Sequence, residues 1–357
     1  MYDVCIVGGG INGVAIAELC GKANLRTVII EQKHLGAGAS TKTSKLAHGG
    51  LRYLEQFKIG LVRESLTERN KLLRLYPNYV KPLPFIFPIF KSDSSLKMWC
   101  GMKLYDFLSG NSTLPKSKKI SVDEMEHMLP WIQTDDILHG YLFYDAVMDD
   151  AKILEITARK AKQSGVEIRE HEKVYAFSQV GNDHVEIRTE YDLVQAKVII
   201  NATGAWSNQF FFRDKNIVTP SKGAHIGTSK LYTEYATVLR APDGRVFFTI
   251  PYYNTTLIGT TDTAYDGDLN NVEASPEDID YILTAINTFS KIPLSMDDIE
   301  YAYAGLRPLA ASNGSVGSAS RDVVIHKLGR AFSLVGGKYT THRAIAGKVF
   351  NTIKKYV

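Results

Sequence analysis

The chain has 357 residues, which at roughly 100 to 200 residues per domain points to about two domains. Hydrophobic residues make up 45% and charged residues 22%, a globular balance that excludes a disordered, fibrous or small disulfide-stapled protein. The 42 Lys plus Arg stand against 38 Asp plus Glu, a formal charge of +4 that is too small for a nucleic-acid binder.

The excess is local, because six Lys and two acids lie between Lys91 and Lys119 and the rest of the chain is neutral. Cys5, Cys20 and Cys100 form neither a CxxC nor an even set, which argues against a disulfide framework or a zinc site. The N-terminus lacks a basic stretch with a cleavage site, and no apolar run reaches the ~18 residues of a membrane span. The expectation is a cytoplasmic protein that at most touches the inner face of a membrane.

Tyr2 to Val7 reads as a buried strand, Val14 to about Ala23 as a helix, and Thr27 to Ile30 as a second strand ending at Glu31. Between the first two lies Gly8-Gly9-Gly10-Ile11-Asn12-Gly13, a Gly-x-Gly-x-x-Gly fingerprint, with Glu31 placed 18 residues after Gly13. In that context each position has a mechanical reason. Gly8 permits the tight turn, Gly10 lets backbone approach a pyrophosphate, and Gly13 lets the helix lie close to the sheet. The helix N-terminus offers N–H groups to phosphates, and Glu31 offers acceptors to a ribose. The polar loop from Gly36 to His48 favours FAD over NAD, since it can wrap an extended flavin nucleotide.

Apolar spacing predicts an amphipathic helix from Ile59 to Leu75. Leu83 to Phe90 carries two prolines, which exclude a helix and argue for an edge strand or extended segment. Asp150 to Ser164 reads as another amphipathic helix, followed by antiparallel strands at Lys173 to Val180 and His184 to Thr189. Lys197 to Asn201 delivers Ala202-Thr203-Gly204-Ala205-Trp206. Strands at Arg245 to Pro251 and Thr256 to Thr261 precede a helix from Pro276 to Ser290. A closing unit has a strand into Gly305-Leu306-Arg307-Pro308, strands at Val323 to His326 and Phe332 to Val335, and Gly336-Gly337-Lys338 opening a last helix. The expected fold class is α/β (α+β overall), a Rossmann-like FAD-binding domain interleaved with a mixed or antiparallel-sheet substrate domain. Residues 1–80, 145–212 and 300–357 are assigned to the first, and 81–144 and 213–299 to the second.

Gly8–Gly13, Thr43-Ser-Lys-Leu-Ala-His-Gly-Gly-Leu-Arg-Tyr-Leu-Glu55, Asn201–Trp206, Gly259-Thr-Thr-Asp262, Gly305–Pro308 and Gly336-Gly-Lys-Tyr-Thr-Thr341 occur in this order. Together they resemble the FAD-dependent glycerol-3-phosphate dehydrogenases and oxidases, within the D-amino-acid oxidase-like flavoproteins. The His48–Glu55 run is the most specific block. Respiratory members of that family continue into a C-terminal helical domain, whereas this chain stops one helix after Gly336-Gly-Lys.

The resemblance implies oxidation of glycerol 3-phosphate to dihydroxyacetone phosphate, with hydride passing to FAD. It places FAD against Gly8, Gly10, Ile11, Asn12, Gly13, Glu31, Ser40, Thr41, Ser44, Lys45, Leu46, Val174, Ala202, Gly204, Trp206, Gly305, Gly336, Gly337, Lys338, Tyr339 and Thr340. Such a reaction needs cations for a dianionic phosphate, and a guanidinium binds one bidentately. Arg52, Arg307 and Arg321 are the candidates, with Tyr53 and His48 beside the substrate; an Arg paired to an acid is the alternative reading. His225 is the preferred base because a neutral imidazole accepts a proton. His48 competes for that role, and either could be a satisfied core histidine. The helix N-terminus after Gly336-Gly337-Lys338 supplies positive potential beside a reduced flavin, and Lys338 either adds to that field or holds the substrate phosphate.

The acid pairs Asp135-Asp136, Asp149-Asp150 and Asp297-Asp298 read as helix caps, and no metal site is expected. An amine or 2-hydroxy-acid oxidase of the same fold, or a flavin-binding interaction protein without turnover, stays open. Quinone and oxygen are both open as electron acceptor. Leu96, Trp99, Met102, Leu104 and Phe107 alternate with Lys97 and Lys103 inside 91–119. That pattern suits a membrane interface or, preferably, a core-packed helix with a solvated Lys face.

Overall fold

The computed structural model describes residues 1–209, 216–311 and 323–357 of the chain, arranged around two sheets. The first has the order Val324–Leu328, Ala331–Val335, Leu193–Asn201, Tyr2–Val7, Thr27–Ile30, Glu167–Arg169, and its four interior pairings from Ala331–Val335 onward are parallel. Tyr2–Val7 is central, so it is buried on both faces and reads as an unbroken apolar run. Helices Ile11–Lys22, Asp150–Gln163 and His342–Ile353 cover one face, with Val14, Ile153 and Val349 meeting Ile6, Ile200 and Phe332. The hairpin Val174–Val180/His184–Thr189 covers the other, where Val185 and Ile187 pack with Cys5 and Ile199. The α/β class expected from the sequence is the class observed.

The second sheet has the order Thr263–Ala264, Val218–Thr228, Thr255–Gly259, Val246–Tyr252, Ala236–Arg240, Val80–Phe90, Ile137–Met148, Leu46–Ala47, with Tyr301–Ala310 also paired to Val218–Thr228. Helix Pro276–Asn287 packs on one face through Ile282 and Ile286. Helices Ile59–Leu75 and Ser95–Leu108 pack on the other through Leu66, Met102 and Tyr105. Chain segments alternate between the sheets, so each is assembled from distant parts of the sequence.

Three expectations are corrected. Residues 300–310, assigned to the FAD-binding domain, belong to the second sheet, because Tyr301–Ala310 pairs with Val218–Thr228 along its whole length. The proline-rich segment is an interior strand, Val80–Phe90. Pro82, Pro84 and Pro88 fall on alternate positions, so their missing N–H groups share one edge. The parallel partner Ala236–Arg240 meets this strand only at Phe85 and Ile86, between two of the prolines, while the antiparallel ladder with Ile137–Met148 runs on. Finally, the last helix starts at His342, after a 3₁₀ turn at Tyr339–Thr341.

Helix Ser95–Leu108 buries only Met102 and Tyr105. Leu96, Trp99 and Phe107 are exposed by 71%, 49% and 80%, so the preferred core-packed reading does not describe it. Phe57, also exposed, lies next in chain to the turn whose Glu55 approaches Lys97 at 3.9 Å. Among the described residues, no helix is long and apolar enough to cross a membrane.

Candidate active site

The C-terminal ends of four parallel strands open into one cavity of about 520 Å³. Val7 leads to Gly8, Ile30 to Glu31, Asn201 to Ala202 and Val335 to Gly336, and all four following residues line it. That is where ligands bind in open parallel sheets.

The glycine turn is fixed by contact. Gly8 has φ +111°, and a Cβ there would stand 2.6 Å from Ala202 O; a Cβ at Gly13 would overlap Gly8 O. Helix Ile11–Lys22 therefore lies directly on the strand ends. Its N-cap is Gly10, with no side-chain cap and no acid in the first turn, so its N–H groups and partial positive charge face the cavity. Ser40 Oγ accepts from Ile11 N–H at 3.0 Å. The Glu31 carboxylate accepts from Gly9 N–H at 2.7 Å and Lys33 N–H at 2.9 Å, which holds it over the turn with lone pairs left for hydroxyl donors. Asn12 Oδ1 and Trp206 Nε1 are buried with no hydrogen-bond partner among the described residues, and both residues line the cavity. Such groups need partners, and a nucleotide with phosphates, hydroxyls and a polar ring system fits this donor and acceptor set.

The other end is built by the second sheet. Val218–Thr228 and Tyr301–Ala310 pair in the register Ser221 to Arg307, Gly223 to Gly305 and His225 to Tyr303, so these six residues share one face. The two glycines leave a gap between the outer pairs. A Cβ on Gly223 would overlap the Arg307 guanidinium, and one on Gly305 would lie 2.9 Å from Lys42 O. Arg307 donates to Thr260 Oγ1 at 2.7 Å and Thr261 O at 3.1 Å, with Asp262 Oδ1 at 3.4 Å. Asp262 in turn accepts from Ser221 Oγ at 2.5 Å. The Gly259–Asp262 block thus aims Arg307 into the cavity.

His225 is 2% exposed. Its ring stacks on Tyr303 at 5.0 Å, Nε2 is 2.8 Å from Ser44 Oγ, and Nδ1 has no hydrogen-bond partner among the described residues. Burial, with the nearby Arg307 and Lys45 charges, pushes its pKa down to about 3, so the imidazole is neutral at pH 7.

Of the residues expected at the cofactor or substrate, Gly8, Gly10, Ile11, Asn12, Glu31, Ser40, Ser44, Leu46, His48, Val174, Ala202, Gly204, Trp206, His225, Gly305, Arg307, Gly336, Gly337, Lys338, Tyr339 and Thr340 line this cavity. Gly13, Thr41 and Lys45 stand behind its wall. Lys45 is buried against Asp150 at 2.7 Å and Thr41 O at 2.8 Å. Asp150, read as a cap, instead anchors Lys45 and Thr43, while Asp149 caps helix Asp150–Gln163. Arg52 opens the short helix Arg52–Glu55 outside the lining, and Tyr53 lies behind Lys338, whose Nζ is 4.0 Å from the ring centroid. Arg321 lies outside the described residues. Among the described residues, no His, Cys, Asp and Glu group could hold a metal ion.

Sequence reading missed Tyr303 and the 269–272 segment, which lines the cavity near the glycine turn. Lys33 Nζ donates to Asn270 O at 3.1 Å. That polar segment carries no periodicity that marks it in advance.

A model of FAD dependent oxidoreductases matches residues 3–343. The chain belongs to the FAD-dependent oxidoreductase family. A glycerol-3-phosphate dehydrogenase of Mycobacterium leprae is 34% identical over 377 residues, covering 100% of this chain and 63% of the relative. One from Pseudomonas aeruginosa is 34% identical over 376 residues, covering 100% and 72%. The chain therefore spans less than two thirds of the mycobacterial relative. The structure of glycerol-3-phosphate dehydrogenase from Bacillus halodurans complexed with FAD superposes with a TM-score of 0.78 at 24% identity, covering 99% of this chain and 64% of that one.

Two outcomes are expected. Gly13→Ala pushes helix Ile11–Lys22 off the strand ends, so FAD affinity in an equilibrium titration falls at least about 100-fold, beyond the ~1 kcal/mol scale of a simple helix-propensity change. The His225 imidazole, followed by NMR, stays neutral from pH 8 to pH 5; a midpoint near the ordinary 6.5 contradicts the burial described. The linked effect on stability has a fixed sign. The unfolded ring takes its proton near 6.5 and the folded ring only near 3, so this contribution is present above pH 6.5 and lost as pH falls through that interval.

Proposed function

We propose that the chain oxidises sn-glycerol 3-phosphate to dihydroxyacetone phosphate. The observation that carries this is the juxtaposition of a positioned guanidinium, Arg307, with a neutral buried imidazole, His225, on one sheet face lining the FAD cavity. The names of the relatives point the same way. Bound FAD supplies a two-electron acceptor for the hydride from carbon 2.

The protein's own groups do the rest. Arg307 binds the phosphate dianion through its planar fork, with Arg321 as a further candidate phosphate ligand. His225 Nδ1 takes the hydroxyl proton as the carbonyl forms, and Ser44 with Tyr303 fixes the ring. Lys338 sets positive potential in the cavity wall, steadied by Tyr53 and by Ser65 Oγ at 3.3 Å. His48 lines the same wall, and Arg52 begins the helix that presents Tyr53.

For the electron acceptor, quinone is favoured over oxygen by the face of helix Ser95–Leu108. Leu96, Trp99, Lys103 and Phe107 recur at helical spacing on it, three of them exposed apolar groups, within the segment that carries the whole basic excess. An anionic membrane surface, where a quinone resides, matches both features.

Anaerobic mixing tests the substrate. Glycerol 3-phosphate bleaches the bound flavin, and Arg307→Lys raises KM by roughly ten-fold or more, because a point charge replaces a bidentate fork. Bleaching by a 2-hydroxy acid or an amine but not by glycerol 3-phosphate selects an oxidase of the same fold. Turnover unchanged in both His225→Ala and Arg307→Ala removes the active-site assignment. For the membrane face, sedimentation with anionic liposomes is expected at low salt and weakened at high salt; no binding at either excludes it.

A further inference from the structure

Three groups that the proposed reaction does not use are buried together behind the turn from His48 to Gly50. Arg69, Tyr105 and Asp145 are 1%, 2% and 4% exposed. They come from helix Ile59–Leu75, helix Ser95–Leu108 and strand Ile137–Met148. Arg69 Nη1 donates to Asp145 Oδ1 at 2.6 Å and to Tyr144 O at 3.1 Å, and Nη2 donates to Ser109 Oγ at 2.7 Å. Tyr105 Oη donates to Asp145 Oδ2 at 2.7 Å. The open end of this network meets backbone: Gly49 N–H donates to Tyr105 Oη at 3.0 Å and Asp145 Oδ1 at 3.2 Å.

The turn is one residue thick between the network and the cavity wall. A Cβ on Gly49 would lie 2.5 Å from Tyr105 Oη. On the other side, Gly50 has φ +80°, and a Cβ there would lie 2.5 Å from the Tyr53 ring and 3.1 Å from Lys338 Nζ. His48 and Lys338 both line the cavity. Any movement of Gly49 is passed to both, since neither glycine has slack to absorb it.

We propose that Tyr105, held by Asp145 and Arg69, is a positioning residue for the flavin pocket: its hydroxyl fixes the Gly49 amide and thereby the depth of His48 and Lys338 in the cavity wall. Burial and the adjacent Asp145 carboxylate push the Tyr105 pKa well above its ordinary value, so the hydroxyl keeps its proton. It therefore donates to Asp145 and accepts from Gly49. Phenylalanine at 105 preserves the ring packing and removes the hydroxyl's links to Asp145 and Gly49, leaving the Gly49 N–H only its 3.2 Å bond to Asp145 Oδ1. The inference rests on the family's FAD and not on the choice of substrate, so its test uses no substrate.

FAD is removed from the purified protein and titrated back into wild type and Tyr105→Phe. The expected result is an FAD dissociation constant raised about three- to ten-fold, the scale of one lost hydrogen bond, with the visible absorption bands of the bound flavin displaced. Unchanged FAD affinity and spectrum in a folded variant overturn the proposal, as does a loss of thermal stability with both left intact, because that is a structural role only. Should Tyr105→Phe fail to fold, the pair Ser109→Ala and Ser112→Ala decides, since both hydroxyls accept from Arg69 Nη2, at 2.7 and 3.4 Å. It loosens Arg69 from outside without touching the turn, and a weakening of FAD binding by about two-fold is expected; no change overturns the proposal. Failure of glycerol 3-phosphate to bleach the flavin leaves these readouts unaffected, so the two conclusions fall separately.

Discussion

A side chain at Gly13 has no space, because its Cβ would overlap the carbonyl oxygen of Gly8. That contact sets the depth of helix Ile11–Lys22 against the sheet, and the depth fixes what its N-terminus can do. The N-cap Gly10 has no side chain and the first turn no acid, so apart from the Ile11 N–H held by Ser40 the first N–H groups have no partner within the helix and carry partial positive charge. The strands ending at Val7, Ile30 and Asn201 then finish level with one another, Val335 lies two residues beyond the partner of Asn201, and Gly8, Glu31, Ala202 and Gly336 all line the cavity. A single excluded methyl group thus connects helix packing to anion affinity. The Glu31 carboxylate balances the arrangement by holding Gly9 and Lys33 amides, which rigidifies the turn before any ligand arrives.

The second sheet solves a different problem, that of bringing a cation beside an uncharged base without protonating it. Arg307 and His225 stand on the same face of one antiparallel ladder, with the Gly223–Gly305 pair between them on that face. The absence of side chains there lets the Arg307 guanidinium lie over Gly223 and the Lys42 backbone close on Gly305. Arg307 is held from behind by Thr260, Thr261 and Asp262, so part of its charge is compensated while its fork stays oriented. Among the described residues, His225 has no carboxylate hydrogen-bonded to its ring, only Ser44 beside the stacked Tyr303. Burial and like charge act in the same direction on it, which keeps the ring neutral.

Much of the first sheet was legible because local pattern and tertiary role agree there. Tyr2–Val7, Thr27–Ile30 and His184–Thr189 are apolar or alternating runs with clear breakers, and the glycine fingerprint has one structural meaning in that setting. The second sheet was less legible. Val218–Thr228 includes Pro220, Gly223 and Gly227, residues of poor strand propensity that are tolerated because both neighbours pair with it. Val80–Phe90 misled for the same reason: its prolines all spend their missing donors on one edge. At the site, motif order named most cavity-lining residues but could not tell the lining from what stands behind it. Lys45 and Thr41 share the loop with Ser40 and Ser44, and only the buried Asp150 decides that Lys45 turns away from the cavity.

Arg69 and Asp145 pose the question of why a buried ion pair is kept where an apolar core would suffice. Taking two charges out of water costs several kcal/mol per ion, and well-packed apolar residues of similar volume are often as stable. An apolar replacement, however, removes the Asp145 acceptor of the Gly49 N–H and leaves the Tyr105 hydroxyl, its other acceptor, with no carboxylate to orient it, and an unsatisfied buried polar group costs about 1–3 kcal/mol by itself. The turn cannot move to find another acceptor, because Leu66 and Tyr105 close one side of it and Tyr53 and Lys338 the other. An acceptor must therefore be brought to the turn. Tyr105 does so from a helix whose opposite face is apolar and exposed, and Asp145, itself neutralised by Arg69, orients the phenol. The charge is kept for geometry, and the geometry is that of the cavity wall.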